Sequence, residues 1–411
     1  MQHISSLLIH GLKDPATIAH RSLKTPIFET ASFDFASAED VEKSFNGTAD
    51  TYAYSRVTNP TVDELQNRLK IFSGAGQVLC VASGMAAISN VFTTLCASGD
   101  NIISSHYLFG NTSSFFSKTL HAFGVEMRFT DMEDLQAVEN SIDSNTRAIF
   151  IELPTNPQLI FFDVEGIARI AKSKNVTLVV DNTVLTPYLF QCRNYDIDIE
   201  IFSNTKFVSG GATSIGGSIL VYESDKWAHN PKLEADYGKF GSDAFYKRLH
   251  KEIYRNIGAC LSPNNAYLQL LGLETIAVRI DRILENTIET AKYLQVHPKV
   301  KGVSYAALPD DPGHLLATRL TGGRPGCLIG VELKDKKESF LFMNSLKMIR
   351  RGTNFCDNKS MIIHPASTIY WDFSKEEKER MRISEGLLRL SVGLEHIDDI
   401  IADLEQALKY I

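Results

Sequence analysis

"DIEIFSNTKF", residues 198–207, is an apolar run that ends in two hydroxyl side chains, Ser203 and Thr205, and in Lys206, just ahead of Gly210 and Gly211. Ile199, Ile201 and Phe202 read as a buried strand. A lysine at its exit must desolvate its ammonium unless a partner takes the charge or reacts with the amine. Working outward, the same short apolar runs recur as "QVLCVA" (77–82), "NIISS" (101–105), "TRAIFIEL" (146–153) and "VTLVVD" (176–181), separated by helical stretches such as "VEGIARIAKSKN" (164–175). Strands alternating with helices imply an α/β fold whose mainly parallel sheet is covered on both faces. In such sheets ligands sit beyond the carboxyl ends of the strands.

Before the first strand, "TVDELQNRLKIFSG" (61–74) places Val62, Leu65, Leu69 and Phe72 on one helical face and stops at Gly74. Residues 1–58 hold prolines and little helical period, and are expected to form an extended arm packed on another subunit. A large domain is expected over 59–260. From Ser262-Pro263, a good helix start, a long amphipathic stretch leads into a smaller C-terminal α+β domain over 261–411.

At 411 residues the chain is about two to three times the common domain length, which suits one large and one smaller domain. Hydrophobic residues make up 44% and charged residues 22%, the balance of an ordinary globular protein. A net charge of −7 argues against nucleic-acid binding, which needs a basic face. The six cysteines, at 80, 96, 192, 260, 327 and 356, form no CxxC pair, so no zinc or other metal site and no dithiol motif is expected. A reducing, cytoplasmic location follows. The opening "MQHISSLLIHGLKD" lacks a basic leader, and no run approaches the roughly 18 apolar residues of a membrane span.

Asp181 closes "VTLVVD" as Lys206 closes its own strand. Alone, such an acid is as readily a turn residue or helix cap. Together, an acid and a lysine at neighbouring strand ends fit pyridoxal phosphate between them, whose aldehyde needs a lysine and whose ring nitrogen needs an anion. A direct ion pair is the alternative. "CVASGMAA" (80–87) supplies a strand, a tight turn at Ser83-Gly84-Met85 and a helix start suited to a phosphate, with Ser203 and Thr205 adding hydroxyls. A nicotinamide-dependent oxidoreductase would need a GxGxxG turn after a strand; "SGAGQV" precedes one.

The segments "YAYSRVTNPT", "VASGMAA", "ELPTNP", "VVDNT", "SNTKF", "GACLSPNNAYLQLLGLET", "IIHPAST" and "RLSVGLE", spanning 52–395, resemble the pyridoxal-phosphate enzymes of cysteine and methionine metabolism, the trans-sulfuration family. The resemblance implies the aspartate-aminotransferase-like fold type I, with a seven-stranded sheet in the large domain. It implies that Lys206 binds the cofactor covalently and shuttles protons, and that Asp181 keeps the ring nitrogen protonated. Gly84, Met85, Ser203 and Thr205 would bind phosphate, with Tyr54 and Arg56 reaching it from the neighbouring subunit of a dimer commonly doubled to a homotetramer. Asn156 would meet the ring hydroxyl, while Arg389, and with it Asn354, would hold the substrate carboxylate. Read alone, Arg389 is a surface residue on an edge strand, Asn156 a turn residue and Tyr54–Arg56 an exposed loop pair.

Phe109, in "FGNT", stands where many relatives carry tyrosine; its ring keeps the stacking on the cofactor and lacks the hydroxyl, leaving acid–base help to Tyr54 or Lys206. Asn111 replaces a cysteine associated with methionine gamma-lyase. "TSIGG" (213–217), "RNIGACLSP" (255–263) and "GTNFCDNKSMIIHPAST" (352–368) look most like the O-acetylhomoserine sulfhydrylase branch. Glycines 210, 211, 216 and 217 allow either close backbone approach or a flexible mouth. Ile369 and Tyr370 replace a histidine region, with no consequence legible. The expected reaction is gamma-replacement on an O-acylated homoserine by sulfide, a thiol or a sulfur-carrier protein, giving homocysteine or methionine. Methionine gamma-lyase or cystathionine gamma-synthase or lyase activity is the alternative enzyme, and a noncatalytic scaffold the alternative outside enzymes.

Overall fold

The computed structural model describes residues 3–11, 21–49 and 51–411. Seven strands form the larger sheet: β1 Gln77–Val81, β2 Asn101–Ser104, β3 Glu126–Phe129, β4 Thr146–Glu152, β5 Thr177–Asp181, β6 Ile199–Phe202 and β7 Gly217–Val221. Their order is β1-β7-β6-β5-β4-β2-β3, and β7 alone runs antiparallel to both neighbours. The sheet is therefore mainly parallel, as the alternation of runs requires.

Side chains alternate between its faces and build two cores. Val78, Cys80, Ile149, Ile151, Leu178 and Val180 pack with the helix Pro60–Ser73, through Val62, Leu65, Leu69 and Phe72. Leu79, Val81, Phe150, Val179, Ile199 and Ile201 pack on the other side with Ala87, Ile88 and Val91 of the helix Gly84–Leu95. Each Val, Leu, Ile or Phe side chain buried there contributes about 1.5–3 kcal/mol relative to exposure. That alternation fixes which strand-end groups face the Gly84–Leu95 helix: Asp181 continues the face of Val179, and Glu152 that of Phe150. Glu200 falls on the opposite face, where Tyr222 Oη (2.6 Å) and Asn182 Nδ2 (2.6 Å) donate to it.

The second sheet comprises β8 Gly302–Ser304, β9 Leu328–Glu332, β10 Arg350–Arg351, β11 Met361–Ile363 and β12 Leu387–Ser391, in the order β10-β11-β12-β9-β8. It has its own core of Ile329, Val331, Ile362, Leu388, Leu390, Ile400 and Leu404. The helix start expected at Ser262 is present: Ser262 accepts from the amide of Asn265 at 3.2 Å, and Pro263 opens the helix. Strand β12 is central, which overturns the edge-strand reading of Arg389; that side chain is 1% exposed.

The N-terminal segment departs from the extended expectation. Helix α1, Ile4–His10, inserts Leu8 into the core and is gripped by Arg68, which donates to the carbonyls of Leu8 and Ile9. Helix α2, Ala38–Asn46, is capped by Ser37 and closed by Gly47 in the left-handed region. These are local capping signals that the prolines nearby obscured. Residues 1–2, 12–20 and 50 of the expected arm lie outside the described residues.

Candidate active site

Strands β4, β5 and β6 run parallel, with Glu152 opposite Asp181 and Asp181 opposite Ile201. Their carboxyl ends open on one cavity of ≈ 210 Å³. Its walls include Gly84, Met85, Phe109, Asn156, Asp181, Ser203, Thr205 and Lys206, eight of the expected site residues. Glu152, Thr183 and Phe355 line it too and were not singled out from the sequence. Glu152 carried the same signal as Asp181, an acid at a strand exit.

Lys206 donates to Asn354 Oδ1 at 2.6 Å, and Asn354 Nδ2 donates in turn to Asp357 Oδ2 at 2.9 Å, which fixes which way the amide faces. The lysine engages this amide rather than forming the direct ion pair with Asp181 that the sequence left open. Burial, then the charge of Arg389, lowers the Lys206 amine to a pKa of about 8. Its Nζ lies 4.4 Å from the centre of the Phe355 ring, whose surroundings also hold the Arg389 guanidinium at 4.9 Å.

Asp181 accepts from the amide of Thr183 at 2.9 Å. Burial pushes its carboxyl up, while Thr183 and Lys206 oppose that shift. Glu152 is held well above the ordinary carboxylate range by burial and then by the adjacent Asp181. A cationic ring nitrogen in this cavity would stabilise the ionised form of Asp181.

The end of the cavity at the start of the Gly84–Leu95 helix is assembled by close backbone contact. Ser83 caps the Gly84–Leu95 helix by accepting from the Ala86 amide at 3.0 Å, and the amides of Gly84 and Met85 belong to the first turn, which a helix leaves without internal partners. A Cβ at Gly84 would lie 2.9 Å from Ser203 Cβ, and one at Gly217 would lie 2.2 Å from Ser83 O. These glycines permit close approach, so the flexible-mouth reading falls at Gly217. Thr205 Oγ1 pairs with Gly216, donating to its carbonyl at 3.3 Å and accepting from its amide at 3.2 Å. An amine, a carboxylate, an aromatic wall and a helix start with hydroxyls around one cavity fit pyridoxal phosphate.

Arg389 stands behind Asn156, donating from Nη1 to its Oδ1 at 3.0 Å and from Nη2 to the carbonyls of Thr353 (3.2 Å) and Asn354 (3.3 Å). Its buried Nε has no hydrogen-bond partner among the described residues, a donor left over for a ligand. Burial lowers its pKa to about 10, still cationic at neutral pH. Tyr54 and Arg56 do not line this cavity: Tyr54 is 45% exposed, and Arg56 lies 5.3 Å over its ring.

The model of a family described as Cys/Met metabolism PLP-dependent enzyme matches residues 5–409. An O-acetylhomoserine sulfhydrylase structure from Wolinella succinogenes is 42% identical, covering 85% of this chain and 97% of that one, with a TM-score of 0.77. A protein of Campylobacter jejuni provisionally named O-acetylhomoserine (thiol)-lyase is 35% identical over 99% of this chain and 100% of its own, with a TM-score of 0.95, and its crystal structure holds N'-pyridoxyl-lysine-5'-monophosphate. L-methionine gamma-lyase of Pseudomonas putida is 36% identical over 94% of this chain and 93% of its own.

Proposed function

The chain belongs to the Cys/Met metabolism PLP-dependent enzymes, and from that premise we propose that it replaces the γ-acyloxy group of an O-acylated homoserine, O-acetylhomoserine first, with sulfide or a thiol. The observation that carries the reading is the single cavity holding Lys206 and Asp181, with Phe109 as its aromatic wall and Arg389 behind it. The similarity to the O-acetylhomoserine sulfhydrylase of Wolinella succinogenes, and to the Campylobacter jejuni protein provisionally named O-acetylhomoserine (thiol)-lyase, supports replacement over elimination.

Pyridoxal phosphate, when bound, supplies an electron sink for the carbanions formed at the substrate carbons. Asp181 would hold the ring nitrogen, Asn156 the ring hydroxyl and Phe109 the ring face. The phosphate would rest on the amides of Gly84 and Met85 and the hydroxyls of Ser203 and Thr205, joined by Tyr54 and Arg56 of a neighbouring subunit. Arg389, with its spare Nε–H, orients the substrate carboxylate, helped by Asn354. Lys206 takes one proton from Cα and then one from Cβ, and returns both once the C–S bond at Cγ has formed; a pKa of about 8 suits an amine that must alternate between acid and base near neutrality. The γ-acyloxy group departs as a carboxylate, and the sulfur nucleophile bonds to Cγ.

We place the protein in the cytoplasm as a homotetramer built from dimers, organised as an arm over 1–58, a large domain over 59–260 and a small domain over 261–411. Six cysteines without a disulfide support a reducing compartment. Among the described residues no helix is long and apolar enough to cross a membrane. The purified, cofactor-loaded protein should convert O-acetylhomoserine and sulfide to homocysteine, with 2-oxobutyrate suppressed by sulfide. Oxoacid output that sulfide leaves unchanged would favour gamma-elimination, the second reading, which the similarity to L-methionine gamma-lyase keeps in play.

A further inference from the structure

Behind the cavity, two loops that carry expected cofactor contacts are held by the same pair of side chains. The Leu108–Phe109 peptide offers its carbonyl to Tyr370 Oη at 2.9 Å and its N–H to Glu152 Oε1 at 2.8 Å. Asn156 is held in the same manner, its carbonyl accepting from Tyr370 Oη at 3.1 Å and its N–H donating to Glu152 Oε2 at 3.3 Å. One hydroxyl proton is thus shared by two carbonyls, and one carboxyl group receives two amides. Tyr370 is 0% exposed and lies outside the cavity wall, so bulk water does not replace its two bonds; Glu152, 5% exposed, lines the cavity. A separate contact supports the arrangement: a Cβ at Gly110 would lie 2.6 Å from the carbonyl oxygen of Ile369, so the Phe109 loop rests directly on the segment carrying Tyr370.

We propose that Glu152 and Tyr370 are positioning residues that fix the Phe109 loop and the Asn156 loop as one unit, setting the ring and the amide in register against the cofactor. Phe109 has no hydroxyl by which its own side chain could be anchored, so its placement falls to its backbone. Tyr370 reaches across 262 and 214 residues of sequence to make its two bonds. Because Asn156 also accepts from Arg389, the unit ties cofactor placement to the group that holds the substrate carboxylate. The inference rests on the reading of Phe109 and Asn156 as cofactor contacts.

The test measures the dissociation constant of pyridoxal phosphate and the visible circular dichroism of the bound cofactor, which reports its orientation. Tyr370→Phe keeps the ring and removes only the shared proton. It is expected to raise the dissociation constant about 5- to 30-fold, the consequence of leaving buried groups unpaired, to weaken the dichroic band, and to raise KM more than it lowers kcat. The melting midpoint of the cofactor-free protein should move by only a few degrees. Glu152→Gln turns an NH₂ toward one of the two amides and should act alike, with the double variant close to the worse single one because both hold the same two loops. A dissociation constant within about twofold of wild type and an unchanged band in Tyr370→Phe would overturn the proposal; should that variant fail to fold, Glu152→Gln decides by the same criteria. Phe109→Leu and Asn156→Ala separate the two readings. If they bind cofactor like wild type, the cofactor roles themselves fail; if they weaken it while Tyr370→Phe does not, only the positioning role fails.

Discussion

Lys206 shows how much of the chemistry is set by what surrounds one amine. Its pKa of about 8 comes first from burial and next from Arg389, while Asp357 and Asp181 pull it back up. In cofactor-free protein, labelling of Lys206 by an amine-acylating reagent should therefore rise through pH 8, where an exposed lysine rises near 10.4; peptide mass spectrometry across a pH series reads the midpoint. Because the folded pKa lies below the unfolded one, the unfolded chain binds the extra proton between those values. The cost to stability is thus in full below pH 8, and the cofactor-free protein should gain stability as pH climbs through that window. Arg389→Gln removes the second cause, so the labelling midpoint should move toward higher pH. The same substitution should lower kcat/KM for the amino-acid substrate at least about 30-fold, as expected for losing a charged hydrogen-bond partner. An unmoved labelling midpoint would show that Arg389 does not act on the amine.

Strand exits and helix starts place these groups, and the closest constraint lies where β7 passes the Gly84–Leu95 helix. A methyl at Gly217 would meet Ser83 O at 2.2 Å, a backbone atom that cannot swing aside. Gly217→Ala should therefore push the Ser83–Met85 turn away, destabilise the protein by about 1–3 kcal/mol and weaken binding of both pyridoxal phosphate and inorganic phosphate; calorimetry with each ligand checks this. The parallel strands and their polar exits were legible in the sequence because apolar, β-branched runs between helical stretches have few other homes, and Ser262 announced its helix by its cap. Strand β7 was not, since its insertion between β1 and β6 is a choice of partner made by the whole sheet. Glu152 could have been found by the rule that found Asp181. Phe355 and Tyr370 could not, because they reach the site from segments some 150 to 260 residues downstream of the groups they touch. Glu200 illustrates the opposite hazard: it sits in the strand that leads to Lys206, yet the alternation of faces turns it away from the cavity.

At the scale of the molecule, the exposed Tyr54 and Arg56 decide whether the described chain is a complete catalytic unit. Neither lines its own chain's cavity, and the proposed dimer gives them a role in a partner's. Two inactive variants distinguish the arrangements. Lys206→Ala removes the amine, and Arg56→Ala removes the guanidinium. In a mixed dimer with exchange of the phosphate contact between subunits, one site inherits both lesions and the other inherits neither, since a two-fold axis relates the sites. Equal amounts of the two, dissociated and reassembled, should then recover about one quarter of wild-type activity, half the dimers being mixed with one intact site each. If Arg56 serves its own chain's cavity, every site carries one lesion and mixing restores nothing. The recovered fraction, measured against each variant reassembled alone, therefore reads out directly whether the site is shared between subunits.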